Sequence, residues 1–159
     1  MTAHVVVEQH LPVPAARVFD LVHDYDRRLE WDTLLRRAEV VGDAPPGRDV
    51  ETVCTARWYL GGFAFRTRYV TFRRPELAAV VLTRPVLVFG TWAASIRHRE
   101  EGTGSTATYT LTFTCRPRAL APLVEPVARW AFGVETRRRL RALARHLRDG
   151  EDIADDSVG

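Results

Sequence analysis

The chain has 159 residues, of which 46% are hydrophobic and 27% charged. That length favours one domain, and no apolar run approaches the roughly 18 residues needed to span a bilayer. The opening MTAHVVVEQHLPVPAA lacks a basic n-region and carries Glu8 inside its short apolar run, so it is not read as a secretory signal and a cytoplasmic protein is expected.

All 23 basic residues are Arg, and the chain has neither Lys nor Asn. A GC-rich genome accounts for this, and it carries no functional weight. The placement of charge is more informative. Of the 20 acids, five fall in residues 149–159 (DGEDIADDSVG), which hold no Arg. The body is therefore +8 and this stretch −5. It has too little apolar surface to pack and is expected to be a disordered acidic tail beyond a single domain at 1–148. Cys54 and Cys115 lie in strand-like segments without a CxxC pair, so buried free thiols are expected rather than a disulfide or a zinc site.

In chain order, His4–Leu11 alternates as a first strand, which Pro12 and Pro14 end. Pro14 suits a helix start, and Ala15–His23 then places Val18, Leu21 and Val22 at helical spacing. Asp24 is positioned to cap a second short helix, Tyr25–Trp31. Leu34–Val41 is strand-like, and APPG at 44–47 turns the chain. Antiparallel strands follow at Asp49–Trp58, Phe63–Phe72, Leu77–Thr83, Phe89–Arg99 and Thr106–Cys115. Their connections are short, with a glycine hairpin at Gly61-Gly62. The last strand, TATYTLTFTC, has a threonine face and a dry face.

After Pro117 the pattern is helical, Ala119–Arg148. One apolar stripe runs Leu120, Leu123, Val124, Val127, Trp130, Ala131, Val134. A second runs Leu140, Leu143, Ala144, Leu147. The two are offset, so either Gly133 allows a bend or the halves touch different surfaces. The long helix is the only element large enough to cover the dry face of a curved sheet.

This order resembles the helix-grip fold of the START-like superfamily, which includes polyketide cyclases and dehydrases, lipid-transfer proteins and the birch pollen allergen. The resemblance is carried by VPAARVFDLVHDYDRRLEWDTLL at 13–35, YVTFRRPE at 69–76 and WAFGVETRRRLRALARHL at 130–147, and covers about residues 4–148. It implies an α+β domain: a curved antiparallel sheet of about seven strands wrapped around a long C-terminal helix, with two short helices after the first strand. It also implies a deep, mostly apolar cavity between sheet and helix. The family's enzymes place a few polar groups there, and no residue is carried over as catalytic.

Trp58, Phe65, Tyr69, Trp92, Tyr109, Phe113 and Trp130 form the candidate ligand-binding set. Aromatic residues with a polar tip suit a pocket wall, and ordinary core packing is the competing reading. His98 shares a phase with Trp92, Ala94 and Ile96 and joins the set at the cavity rim; a catalytic role for it is the lesser reading. Arg66 and Arg68 are expected outside, with a β-bulge near Arg68 letting both ends of FAFRTRYVTF bury their apolar residues. The alternative turns one guanidinium into the cavity. Trp31 reads as a packing anchor and the flanking Glu30 and Asp32 as solvated. The basic stretch 135–148 reads as a solvated helix face, and no nucleic-acid partner, metal or cofactor is expected.

These features lead to a cavity that binds an apolar or aromatic molecule such as a lipid or polyketide. An enzyme of the cyclase, aromatase or dehydrase kind would use the same cavity. A pocket well below roughly 300 Å³ would instead favour an interaction module. No stable membrane insertion is expected, and a monomer and a homodimer are both compatible with the edge strands.

Overall fold

The first strand, β1 (Ala3–Leu11), buries Ala3, Val7 and Leu11 and exposes His4, Glu8 and His10, the alternation of a half-buried strand. Its chain leaves through Pro12 and Pro14 into α1 (Ala15–Val22), which buries Val18, Phe19, Leu21 and Val22. A computed structural model describes residues 2–156. The second short helix is present as a 3₁₀ turn, Arg28–Glu30. Six further strands follow: β2 (Leu35–Val40), β3 (Glu51–Ala56), β4 (Ala64–Arg73), β5 (Leu77–Leu82), β6 (Phe89–Glu101) and β7 (Gly104–Cys115).

All neighbours pair antiparallel in the order β1-β7-β6-β5-β4-β3-β2, giving one curled seven-stranded sheet with β1 and β2 at its edges. The helix α2 (Ala121–Asp156) lies against β1 and β7. This is the helix-grip arrangement. The helix continues into the stretch read from the sequence as an acidic tail, and Glu151 pairs with Arg17 of α1 at 3.0 Å. Residues 157–159 of that stretch lie outside the described residues.

Side chains at one end of the sheet hold α1 in place. Glu100 of β6 accepts a hydrogen bond from the Ala15 backbone N–H at 2.9 Å, filling one of the orphan donors at the helix start. Ser105 donates to the Val13 carbonyl at 2.8 Å. Gly104 lets β7 approach β1, since a Cβ there would stand 2.3 Å from the Leu11 carbonyl oxygen.

The bulge in β4 lies at Val70, where the pairing with β5 slips between Tyr69 and Thr71. Before it, Thr67 and Tyr69 point inward. After it, Phe72 is brought back toward the core and packs on Phe19, His23 and Tyr69. Arg66 and Arg68 lie on the other face, where both reach Glu51, at 3.4 and 3.1 Å.

The inward face of α2 differs from the stripe of large apolar residues in its sequence. Leu120, Leu123, Val127, Trp130 and Val134 are exposed. The inward line is Val124, Ala128, Phe132, Thr136, Arg139, Leu143 and Leu147, spaced three or four residues apart along one continuous helix. Gly133 is buried, and its Cα faces Val5 of β1.

Asp32 also departs from its expected place. It is fully buried, with Arg28 Nε at 2.8 Å from Oδ2 and Arg139 bonding both oxygens at 2.9 Å. Trp31 beside it is buried as expected, and Glu30 stays at the surface with Arg27.

Candidate functional site

Small residues on the inward face of α2 leave space under the sheet. Ala128, Ala131 and Phe132 face Phe65 of β4, Leu82 of β5 and Phe89 and Trp92 of β6 across an apolar cavity of about 190 Å³. Leu60 and Phe63, from the turn between β3 and β4, and Val86, from the connection into β6, complete its wall. Among the described residues, Glu135 is the one charged residue that lines this outer lobe.

Leu34, Phe65 and Trp92 also line a second, inner lobe of about 80 Å³, so the two spaces share a wall. Each lies below the roughly 300 Å³ at which pockets for drug-sized ligands begin, so either space suits only a compact guest. The inner wall is richer in polar groups. It contains His23, Tyr25, Arg28, Thr52, Thr67, Tyr69, Ser95, Tyr109 and Arg139.

Those polar groups form two networks. In the first, the Tyr69 hydroxyl stands 2.7 Å from His23 Nδ1 and 3.0 Å from the Tyr25 hydroxyl. Burial, with Arg28 nearby, pushes His23 down to about 3, so its ring is neutral near pH 7. Burial raises both phenols, Tyr69 well above its ordinary value. A neutral His23 lets Tyr69 donate to Nδ1 and accept from Tyr25. The Nε2 edge of His23 is then buried without a partner.

In the second network, burial alone would raise the Asp32 carboxyl. The guanidinium groups of Arg139 and Arg28 outweigh it and hold the acid down to about 2. Arg139 also lies over the Tyr109 ring, and Arg28 over Tyr25 and Trp31. Both cations are committed to Asp32, so they line the inner lobe without being free counter-ions.

Four of the eight candidate residues come together on the cavity wall: Phe65, Tyr69, Trp92 and Tyr109. The other four do not line it. Trp58 is 75% exposed on a 3₁₀ turn, Trp58–Leu60, because β3 ends at Ala56 before its alternation reaches position 58. Trp130 is 70% exposed on the outer face of α2. Phe113 is buried in contact with Phe89 and Phe132, one layer behind the wall. His98 points inward in the expected phase, but α1 covers it. Phe19 packs on its ring, both ring nitrogens lack partners, and burial pushes it down to about 4.

Residues 2–148 match the family described as polyketide cyclase / dehydrase and lipid transport. The chain belongs to this family. Solved structures repeat its fold at low identity. A protein from Thermus thermophilus is 18% identical with a TM-score of 0.74, covering 92% of this chain and 98% of its own. The Zhui aromatase/cyclase from Streptomyces is 11% identical with a TM-score of 0.78, covering 93% and 94%. A START superfamily protein from Mycobacterium smegmatis is 14% identical with a TM-score of 0.74, covering 92% and 97%. No curated protein matches the chain. At these identities the likeness concerns the fold.

Within this polyketide cyclase and lipid transport fold, sequence reasoning missed His23, Tyr25, Phe132 and Glu135 on the cavity wall. His23 and Tyr25 sit where α1 gives way to a turn, a region without periodicity to orient a side chain. Phe132 had a signal, since it lies four residues from Ala128 on one helical face. The stronger Leu, Val and Trp pattern beside it concealed that signal.

Proposed function

We propose that the protein binds a compact hydrophobic or aromatic small molecule, lipid- or polyketide-like, in the two-lobed cavity between sheet and α2. The observation that carries this reading is the outer lobe. An apolar space walled by Phe65, Phe89, Trp92 and Phe132 adjoins, across Leu34, Phe65 and Trp92, an inner lobe with tyrosine and histidine groups. Such a pocket takes the apolar body of a guest in the outer part and orients a polar end in the inner part. Family membership and the START superfamily neighbour support the same class of ligand.

Native mass spectrometry of the purified protein tests the reading. A bound species should travel with the protein, or be acquired on exposure to a mixture of fatty alcohols and naphthols, and leave on organic extraction. A protein that stays free of any guest from such mixtures would contradict it.

A second reading is an enzyme of the cyclase, aromatase or dehydrase kind, favoured by the Tyr25–Tyr69–His23 chain and by the fold shared with the Zhui aromatase/cyclase. In it the Tyr69 hydroxyl, still accepting from Tyr25, turns its one O–H from His23 Nδ1 to a substrate carbonyl, which frees Nδ1. His23, neutral near pH 7, takes up a proton during enolisation. Tyr69→Phe should then abolish cyclisation of a poly-β-ketone thioester while leaving its binding within a few-fold. Equal turnover in Tyr69→Phe and wild type would remove this reading. The buried free thiols of Cys54 and Cys115 suit a reducing, cytoplasmic setting for either role.

A further inference from the structure

Glu135 stands alone on the wall of the outer lobe. Its neighbours there include Ala131 and Phe132 of α2 and Leu34, Phe65 and Trp92 across the cavity. Carboxylate Oε1 has a weak contact with Arg138 Nη1 at 3.8 Å. Oε2 is buried and has no hydrogen-bond partner among the described residues. Arg138 does not supply one, because its guanidinium lies over the Tyr59 ring at 5.5 Å.

An ionised carboxylate accepts hydrogen bonds and never donates them. Leaving one of its oxygens buried and unpaired is costly unless something else completes it. The group that completes it must carry an O–H or N–H donor and must fit among apolar side chains. A second carboxylate would place like charge against like charge beside apolar side chains, where the repulsion is stronger than in bulk water.

We propose that Glu135 determines specificity in the outer lobe, selecting a neutral apolar or aromatic guest that bears a hydroxyl or amino donor and rejecting free carboxylic acids such as fatty acids. This rests on the small-molecule binding reading and narrows it. The site takes hydroxy-aromatic or alcohol-bearing ligands. Its volume of about 190 Å³ suits one or two rings, given that apolar cavities of about 150 Å³ hold benzene. A hydrogen bond to a charged acceptor is roughly twice as strong as a neutral one, so the donor should gain about tenfold in affinity.

Calorimetric titration at pH 7 with 2-naphthol, 2-naphthoate and naphthalene tests this on wild type, Glu135→Gln and Glu135→Leu. Wild type should bind 2-naphthol about tenfold more tightly than naphthalene, and 2-naphthoate most weakly. Glu135→Leu should erase the 2-naphthol advantage and leave naphthalene bound at least as tightly. Both variants should strengthen 2-naphthoate binding. Naphthalene binding without any gain for 2-naphthol, or an unchanged order in Glu135→Leu, would overturn the role of Glu135 and spare the cavity reading. No binding of any probe to any of the three proteins would overturn both.

Discussion

Arg139 of α2 and Asp32, 107 residues apart in the chain, meet in a two-pronged ion pair with both N···O distances at 2.9 Å. Arg28 completes the triad from the 3₁₀ turn, and its Nη1 also donates to the Val22 carbonyl at the end of α1. One buried carboxylate thus ties α2 to the segment that closes the inner lobe. Removing one member of a buried ion set leaves its partners uncompensated, which costs roughly 3–5 kcal/mol. Asp32→Asn is therefore expected to lose stability on that order in urea titrations at pH 7. A loss below about 1 kcal/mol would contradict a structural role for the triad.

The same acid sets a lower pH limit. Asp32 ionises at about 2 folded, against an ordinary value of 3.8. Its contribution is therefore complete above about pH 4 and is lost as pH falls toward 2. The shift corresponds to about 2 kcal/mol. Circular dichroism across that window should show wild-type stability falling, with the fall shallower in Asp32→Asn. Parallel curves for the two proteins would refute the assignment.

His98 acts at milder pH. Burial holds it down to about 4, against an ordinary 6.5, so the unfolded chain binds more protons between those values. Stability then drops as pH falls from about 6.5 toward 4, by up to about 3 kcal/mol from this residue. Both ring nitrogens are unpaired, so an apolar replacement forfeits no hydrogen bond. His98→Leu should match or exceed wild-type stability at pH 7 and show a flatter profile below 6.5. An unchanged slope would show that His98 is not the source.

The four tryptophans report on the cavity unequally. Trp92 lines both lobes, Trp31 is buried, and Trp58 and Trp130 are exposed. Adding 1-octanol, which does not fluoresce in this range, should shift the emission of wild type and of Trp58→Phe alike. Trp92→Phe should lose that shift while keeping its fold. A shift that survives in Trp92→Phe would move the binding site away from Trp92.

Much of this architecture was legible in the sequence. Alternation in residues 4–11, 63–72 and 106–115, broken by glycine and proline turns, marks strands because side chains of a strand must alternate. The bulge in β4 was legible too, since only a slipped register lets Tyr69 and Phe72 share a face. The long helix misled. Its large apolar residues, Leu123, Val127 and Trp130, face outward, while Ala128 and Thr136 face the sheet. Burial usually follows size and hydrophobicity, but a wall that must leave a cavity is built from small residues. Asp32 was misread for a related reason. A carboxylate is ordinarily solvated, and only the arrival of Arg139 from a distant helix reverses that. Trp58 shows the limit of alternation, which says nothing past the end of a strand.

A guest that occupies the space between β6 and α2 must touch one residue of the helix and not its neighbour. Ala131 lines the outer lobe, and Trp130 beside it faces solvent. Calorimetric titration of 1-octanol into wild type, Ala131→Trp and Trp130→Ala, with folding of each verified by circular dichroism, tests this occupancy most directly. Affinity should fall at least tenfold in Ala131→Trp and change less than twofold in Trp130→Ala. Wild-type affinity in a folded Ala131→Trp would contradict it.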